Sequence, residues 1–224
     1  MDDFKKQALR LRVERTMENL RKNNMLPFYC ETSAEARELV KTLIKTGDVI
    51  SNGGSVTLKE TGIMDIIKGE EYNYLDRSRP GITPEEIEEI YRKVYSADVY
   101  FTSANAVTEG GLLYNVDGNS NRVSAILYGP KSVIVVCGVN KIVSSLDEAV
   151  TRVKTMAAPP NTMRLNLETY CKSRGECLSL QSPDPQMCDG CRSESRICCN
   201  YVISAHQRVK DRIKVVIIGE ELGF

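Results

Sequence analysis

Apolar residues fall along this chain in two rhythms. Between positions 3 and 23, Leu9, Val13, Met17 and Leu20 recur at helical spacing, which predicts an amphipathic helix docked by one face. After it, short β-branched or aromatic runs alternate with helical stretches. Strands are predicted at 28–30, 48–51, 72–75, 98–102, 132–137 and 213–218, and helices over 34–44, 56–67, from Thr83 onward, and 145–158. Thr32 with Glu35, Thr83-Pro84-Glu85-Glu86, and Ser145 with Glu148 supply capping signals, and Pro159-Pro160 reads as the stop of the last helix. Val133-Ile134-Val135-Val136 and Val215-Val216-Ile217-Ile218 are unbroken apolar runs, as strands covered on both faces require. The fold class expected is α/β, a mainly parallel sheet with helices on both faces.

That architecture says where to look for chemistry, because ligands bind at the carboxyl ends of parallel strands. Asn52-Gly53-Gly54-Ser55 joins a strand to a helix, an arrangement that turns backbone N–H groups toward an anion, although it also reads as a plain tight turn. The stretch from Thr102 to Lys141 carries the rest. Glu109, between Thr108 and Gly110, is the candidate catalytic carboxylate, able to act as base, nucleophile or hydroxyl clamp. Its structural alternative is a turn cap or a partner for Arg122. Asn105, Asn119 and Asn121 can hydrogen-bond a hydroxy-acid or sugar without charge, while Asp117-Gly118-Asn119 also reads as a hairpin turn. Arg122 is either a fork for a carboxylate or phosphate, or one half of a structural salt bridge. Lys141, just past a buried strand, is an anion contact, a desolvated reactive amine, or a surface lysine. The candidate ligand set is therefore Gly53, Gly54, Ser55, Asn105, Asn121, Arg122 and Lys141 around one small anionic metabolite.

Charge and cysteine content narrow the classes. Lys+Arg and Asp+Glu both number 30 in 224 residues, so there is no basic excess to drive nucleic-acid binding. No apolar run approaches the roughly 20 residues of a membrane span, and the N-terminal stretch lacks a signal-peptide core, so a cytoplasmic protein is expected. Two of eight cysteines, Cys30 and Cys137, sit in strand contexts. The other six (Cys171, Cys177, Cys188, Cys191, Cys198 and Cys199) crowd one segment rich in Pro and Gly, which in a reducing compartment favours a metal site over disulfides. Four thiolates suit tetrahedral zinc or an iron–sulfur cluster, and both stay open. His206 is a lesser ligand candidate. The expected organisation is an α/β domain over 1–158, a cysteine-rich metal module over 159–200, and a return strand to the domain within 201–224.

Several motifs taken together resemble a known family. GGSVTLKETG (53–62), SANAVTEGG (103–111), the GNSNR at 118–122, YGP (128–130) and VCGVNKIV (136–143) are similar to the LUD-domain, or lactate-utilisation, family, and PPNTMRLNLETYCKSRGEC with CDGCRSESRICCN (159–200) resembles the branch with a C-terminal cysteine cluster. The resemblance implies a fold like that of sugar-phosphate isomerases and CoA transferases. It implies a role in oxidising L-lactate to pyruvate alongside iron–sulfur and flavin partner proteins. It leaves two other readings: a non-catalytic electron-transfer or scaffold subunit, or a CoA or phosphosugar enzyme on the same fold. For the metal it implies Cys188, Cys191 and Cys198 with Cys171 as fourth ligand, Cys177 competing with Cys188 for one place. Because the resembling CoA transferases use a glutamate nucleophile, it also keeps acyl transfer at Glu109 in view.

Overall fold

The computed structural model describes residues 3–224. Strands β1 (Leu26–Cys30), β2 (Val49–Asn52), β3 (Asn73–Tyr74), β4 (Val99–Thr102), β7 (Ser132–Gly138) and β10 (Ile213–Ile218) form one six-stranded sheet. Its order is β1-β10-β7-β4-β2-β3 and every pairing is parallel. A second sheet, in the order β8-β5-β6-β9, joins β5 (Ala106–Thr108), β6 (Leu113–Asp117), β8 (Ile142–Val143) and β9 (Asn200–Ser204). The parallel sheet was legible from its β-branched runs. The second sheet was not, because its strands are short and lie among glycines and polar residues.

The β7 and β10 runs are apolar at every position because both faces are covered. Val133, Val135, Ile213, Val215 and Ile217 pack on one side with Val13 and Leu20 of α1 (Asp3–Lys22). Ile134, Val136, Val216 and Ile218 pack on the other with Ala36 and Val40 of α2 (Ser33–Leu43) and with Leu58, Ile63 and Ile67. The helix expected over 56–67 is two helices, α3 (Val56–Glu60) and α4 (Ile63–Ile67), because Gly62 takes a left-handed φ of 72° between them. The capping box at Thr83 is present and starts α5 (Pro84–Lys93).

Two further local expectations are corrected. Asp117-Gly118-Asn119 is not a hairpin turn but the corner from β6 into α6 (Asn121–Leu127), where an Asp117 carboxylate oxygen accepts from the Val123 N–H. Pro159-Pro160 does not end its helix. After α7 (Leu146–Arg152) comes one π-helical stretch, Val153–Ala157, and α8 (Ala158–Arg164) begins with the prolines in its first turn, where no backbone donor is needed. The cysteine segment follows α8, passes through α9 (Tyr170–Arg174) and leads into β9. Met187, Cys198 and Tyr201 pack on the apolar cluster of the small sheet. No helix among the described residues is long and apolar enough to cross a membrane.

Candidate functional site

Leaving β2 the chain passes toward one edge of the sheet, through α3 and α4 to β3, whereas leaving β4 it works back through β7 toward the other. The crevice between the ends of β2 and β4 is therefore a topological switch point. A cavity of about 460 Å³ opens there. Gly54, Ser55 and Thr57 line it from β2 and α3, Ser103, Ala104 and Asn105 from β4, Lys141 from β7, and Asp117, Asn119, Asn121 and Arg122 from the β6–α6 corner. Ala157, Asn161 and Arg164 come from the π-helical turn and α8, and residues 194–198 of the cysteine segment complete the wall. Six of the seven expected ligand residues thus line one space. The seventh, Gly53, lies directly behind it, where a Cβ would sit 2.8 Å from Cδ of Arg122.

Lys141 is the chemical centre. It is 3 % exposed, and its Nζ donates to Thr57 Oγ1 and Ser103 Oγ, each at 3.0 Å. Among the described residues no carboxylate forms an ion pair with it. Burial pushes the amine down to about 8, so at neutral pH it carries most of a positive charge without an acidic partner. Thr57 faces the site, whereas Glu60, one turn on, accepts the Gly223 N–H.

Arg122 takes the structural alternative. Its guanidinium donates to the carbonyls of Ser103 and Val116 and to the side-chain oxygens of Asn105 and Asn115, with Asp117 at 3.6 Å. Those hydrogen bonds engage the four N–H donors of the terminal nitrogens, while Nε faces Asp117 as an ion pair. Arg122 therefore shapes the two loops, its terminal nitrogens already taken, and Asn105 is held by the same network. Arg77 and Arg164 add cationic lining; among the described residues the acidic side chains in the lining are Asp117, already held by Arg122, and Glu194. The space is predominantly cationic.

Glu109 lies elsewhere. It ends β5 in the second sheet, and its carboxylate meets Arg12 Nε at 2.7 Å and an Arg15 terminal nitrogen at 3.2 Å, both on α1. Burial raises its pKa, but the hydrogen bonds and charges of the two arginines outweigh that and hold it below the ordinary carboxylate range. It does not line the cavity, and its partners make it a clasp for α1. Sequence offered Arg122 as its structural partner, and α1 supplied two others 94 and 97 residues away.

The residues that sequence reasoning missed are Ser103, Arg77, Asn161, Arg164 and the wall at 194–198. Ser103 was visible inside the SAN motif, whereas the others converge only through tertiary packing.

The LUD domain model matches residues 13–218. The chain belongs to the LUD domain family. This LUD protein is also similar to a DUF162 family protein from Deinococcus radiodurans, at 11% identity over 94% of this chain and 98% of that one, with a TM-score of 0.47. It is similar over 53% of its length to two proteins of Chaetomium thermophilum, eIF2B delta (19% identity, 50% of that chain, TM-score 0.36) and eIF2B beta (14%, 45%, 0.37). No curated protein matches.

The cysteines divide into sets. Cys30 and Cys137 are buried in strands as expected. Cys171, Cys177, Cys191 and Cys198 line a second, smaller space of about 30 Å³, with Tyr114, Lys154, Asp189 and Arg196. Cys188 does not line it and is exposed, as is Cys199. Of the two competitors, then, Cys177 lies with the other three and Cys188 does not. His206 is far from this group in its contacts: its ring meets Asn24 and the Lys22 carbonyl at the end of α1.

Proposed function

We propose that this LUD protein binds a small anionic hydroxy- or keto-acid in the strand-end cavity and so contributes to the oxidation of L-lactate to pyruvate, with iron–sulfur and flavin proteins as partners. The observation that carries the reading is Lys141, a buried amine held by two hydroxyls and facing a cavity at the switch point. A buried cation without an acidic partner is costly in the free protein and is relieved by an incoming carboxylate. Ser103 and Thr57 stand ready to bond the same anion, and the cationic lining draws it in.

Size favours a second reading beside the first. A space of about 460 Å³ falls in the range of sites for drug-sized ligands, roughly 300–1,000 Å³, and exceeds what a three-carbon acid needs. An acyl-CoA or a sugar phosphate, on the same Lys141, would use more of it.

The test is thermal stabilisation by lactate, pyruvate, an acyl-CoA and a sugar phosphate, each with wild type and Lys141→Met. A ligand that binds only the folded state raises the melting temperature. The expected result is stabilisation by at least one member, weakened by about 10- to 100-fold in affinity in the variant, as loss of a charge-assisted hydrogen bond requires. Stabilisation equal in both proteins would remove Lys141 from the account, and no response to any member would remove the anion site.

A further inference from the structure

We propose that Cys171, Cys177, Cys191 and Cys198 form a four-thiolate site for a single divalent cation of the zinc class, set into the wall of the strand-end cavity. Of the six crowded cysteines these four alone line one small pocket. Cys198 lies within electrostatic range of the other three sulfurs.

The surroundings are those that such a site requires. Binding releases four protons and leaves a zinc tetrathiolate of charge −2. Two cations stand beside the sulfurs. Arg196 donates to the carbonyls of Cys188, Cys191 and Cys198, and Lys154, itself 5 % exposed, donates to the Gln186 carbonyl. Together they offset that charge, which would otherwise be expensive to bury. Hydroxyls supply the outer shell: Cys171 Sγ lies 3.6 Å from Thr162 Oγ1 and 3.4 Å from Thr169 Oγ1, and Cys177 Sγ lies 3.3 Å from Ser179 Oγ. The Tyr114 hydroxyl, buried against the same space, has no hydrogen-bond partner, and a thiolate would provide one.

Size favours a single ion. A space of about 30 Å³ holds one or two water-sized bodies, and zinc–sulfur bonds are only about 2.3 Å. Among the described residues no three His, Cys, Asp or Glu side chains stand at coordinating positions, so binding requires the four sulfurs to close together with their hydroxyl partners following. Val153, Ala158, Arg196, Ile197 and Cys198 line both spaces, so the ion would stiffen one wall of the larger cavity whatever metabolite that cavity takes.

The experiment uses the full chain, purified anaerobically with zinc, and its cobalt-substituted form, read by metal content and by the sulfur-to-cobalt charge-transfer band. One ion per chain is expected. Cys177→Ser should lose the band, whereas Cys188→Ser and Cys199→Ser should keep it. Should Cys177→Ser fail to fold, alkylation of wild type followed by mass spectrometry serves instead: the ion should protect Cys171, Cys177, Cys191 and Cys198 and leave Cys188 and Cys199 modified. Loss of the band in Cys188→Ser with retention in Cys177→Ser, acid-labile sulfide with broad visible absorbance, or no bound metal would each overturn the proposal.

Discussion

Replacing Lys141 by methionine should stabilise this protein while removing its anion site. The amine titrates at about 8 in the folded state and at about 10.4 in an unfolded chain. At about 1.4 kcal/mol per pH unit, the gap corresponds to roughly 3 kcal/mol of strain borne by the native state when the lysine is charged in both states. Methionine keeps the apolar stem and nearly the volume. It leaves Thr57 and Ser103 without their amine donor, which takes back about 1 kcal/mol. The net gain of about 2 kcal/mol below pH 8 should appear as a rise of about 4–8 °C in melting temperature for a chain of this size. The sign of the pH dependence is fixed. Because the folded pKa is depressed, the unfolded chain binds more protons between pH 8 and 10.4, so wild-type stability recovers through that window and the advantage of the variant fades. Urea titrations of both proteins at pH 7, 9 and 10.4 read the difference directly. A variant less stable than wild type at pH 7, or a difference that ignores pH, would refute the claim that burial strains this amine.

Other perturbations follow from the same geometry. Anion affinity in wild type should decline as pH rises through about 8, where Lys141 loses its charge, and calorimetric titration with the best ligand of the panel checks this. Glu109→Gln should leave ligand-induced stabilisation unchanged but loosen α1, seen as faster hydrogen exchange at residues 12–20; because the Glu109 pKa is depressed, the stability that it adds is present near neutrality and lost as the solution is acidified below the ordinary glutamate pKa. Gly53→Ala should cost about 1–3 kcal/mol by driving a Cβ against the Arg122 side chain, and should weaken ligand binding by displacing the β4 and β6 loops that Arg122 holds; denaturant titration and the ligand panel measure the two effects. Arg122→Met should cost about 3 kcal/mol or more, since two carbonyls and the oxygens of Asn105 and Asn115 lose their donors and the half-buried Asp117 loses its cationic partner.

The chain by itself determined the parallel sheet, because strands covered on both faces must be apolar throughout, and 132–137 and 213–218 have no other use for such runs. It determined the caps at Thr32, Thr83 and Ser145, since these signals act within four residues. It placed Gly54, Ser55, Asn105, Asn121, Arg122 and Lys141 around the strand-end cavity, because strand ends and glycine corners are local features. Tertiary structure alone decided how those residues divide the work. Glu109 and Arg122 looked alike as charged groups beside glycines. One is clasped by arginines from a helix more than ninety residues earlier, and the other is consumed by loop carbonyls. Lys141 is left without an ion pair among the described residues because its nearest carboxylate, Glu60, is turned to the Gly223 N–H. That Cys177 and not Cys188 lines the small pocket was equally invisible, because spacing along a loop does not say which way a side chain turns once that loop is folded back over β6 and β9. Periodicity and capping report neighbours in sequence, while charge pairing and convergence depend on neighbours in space.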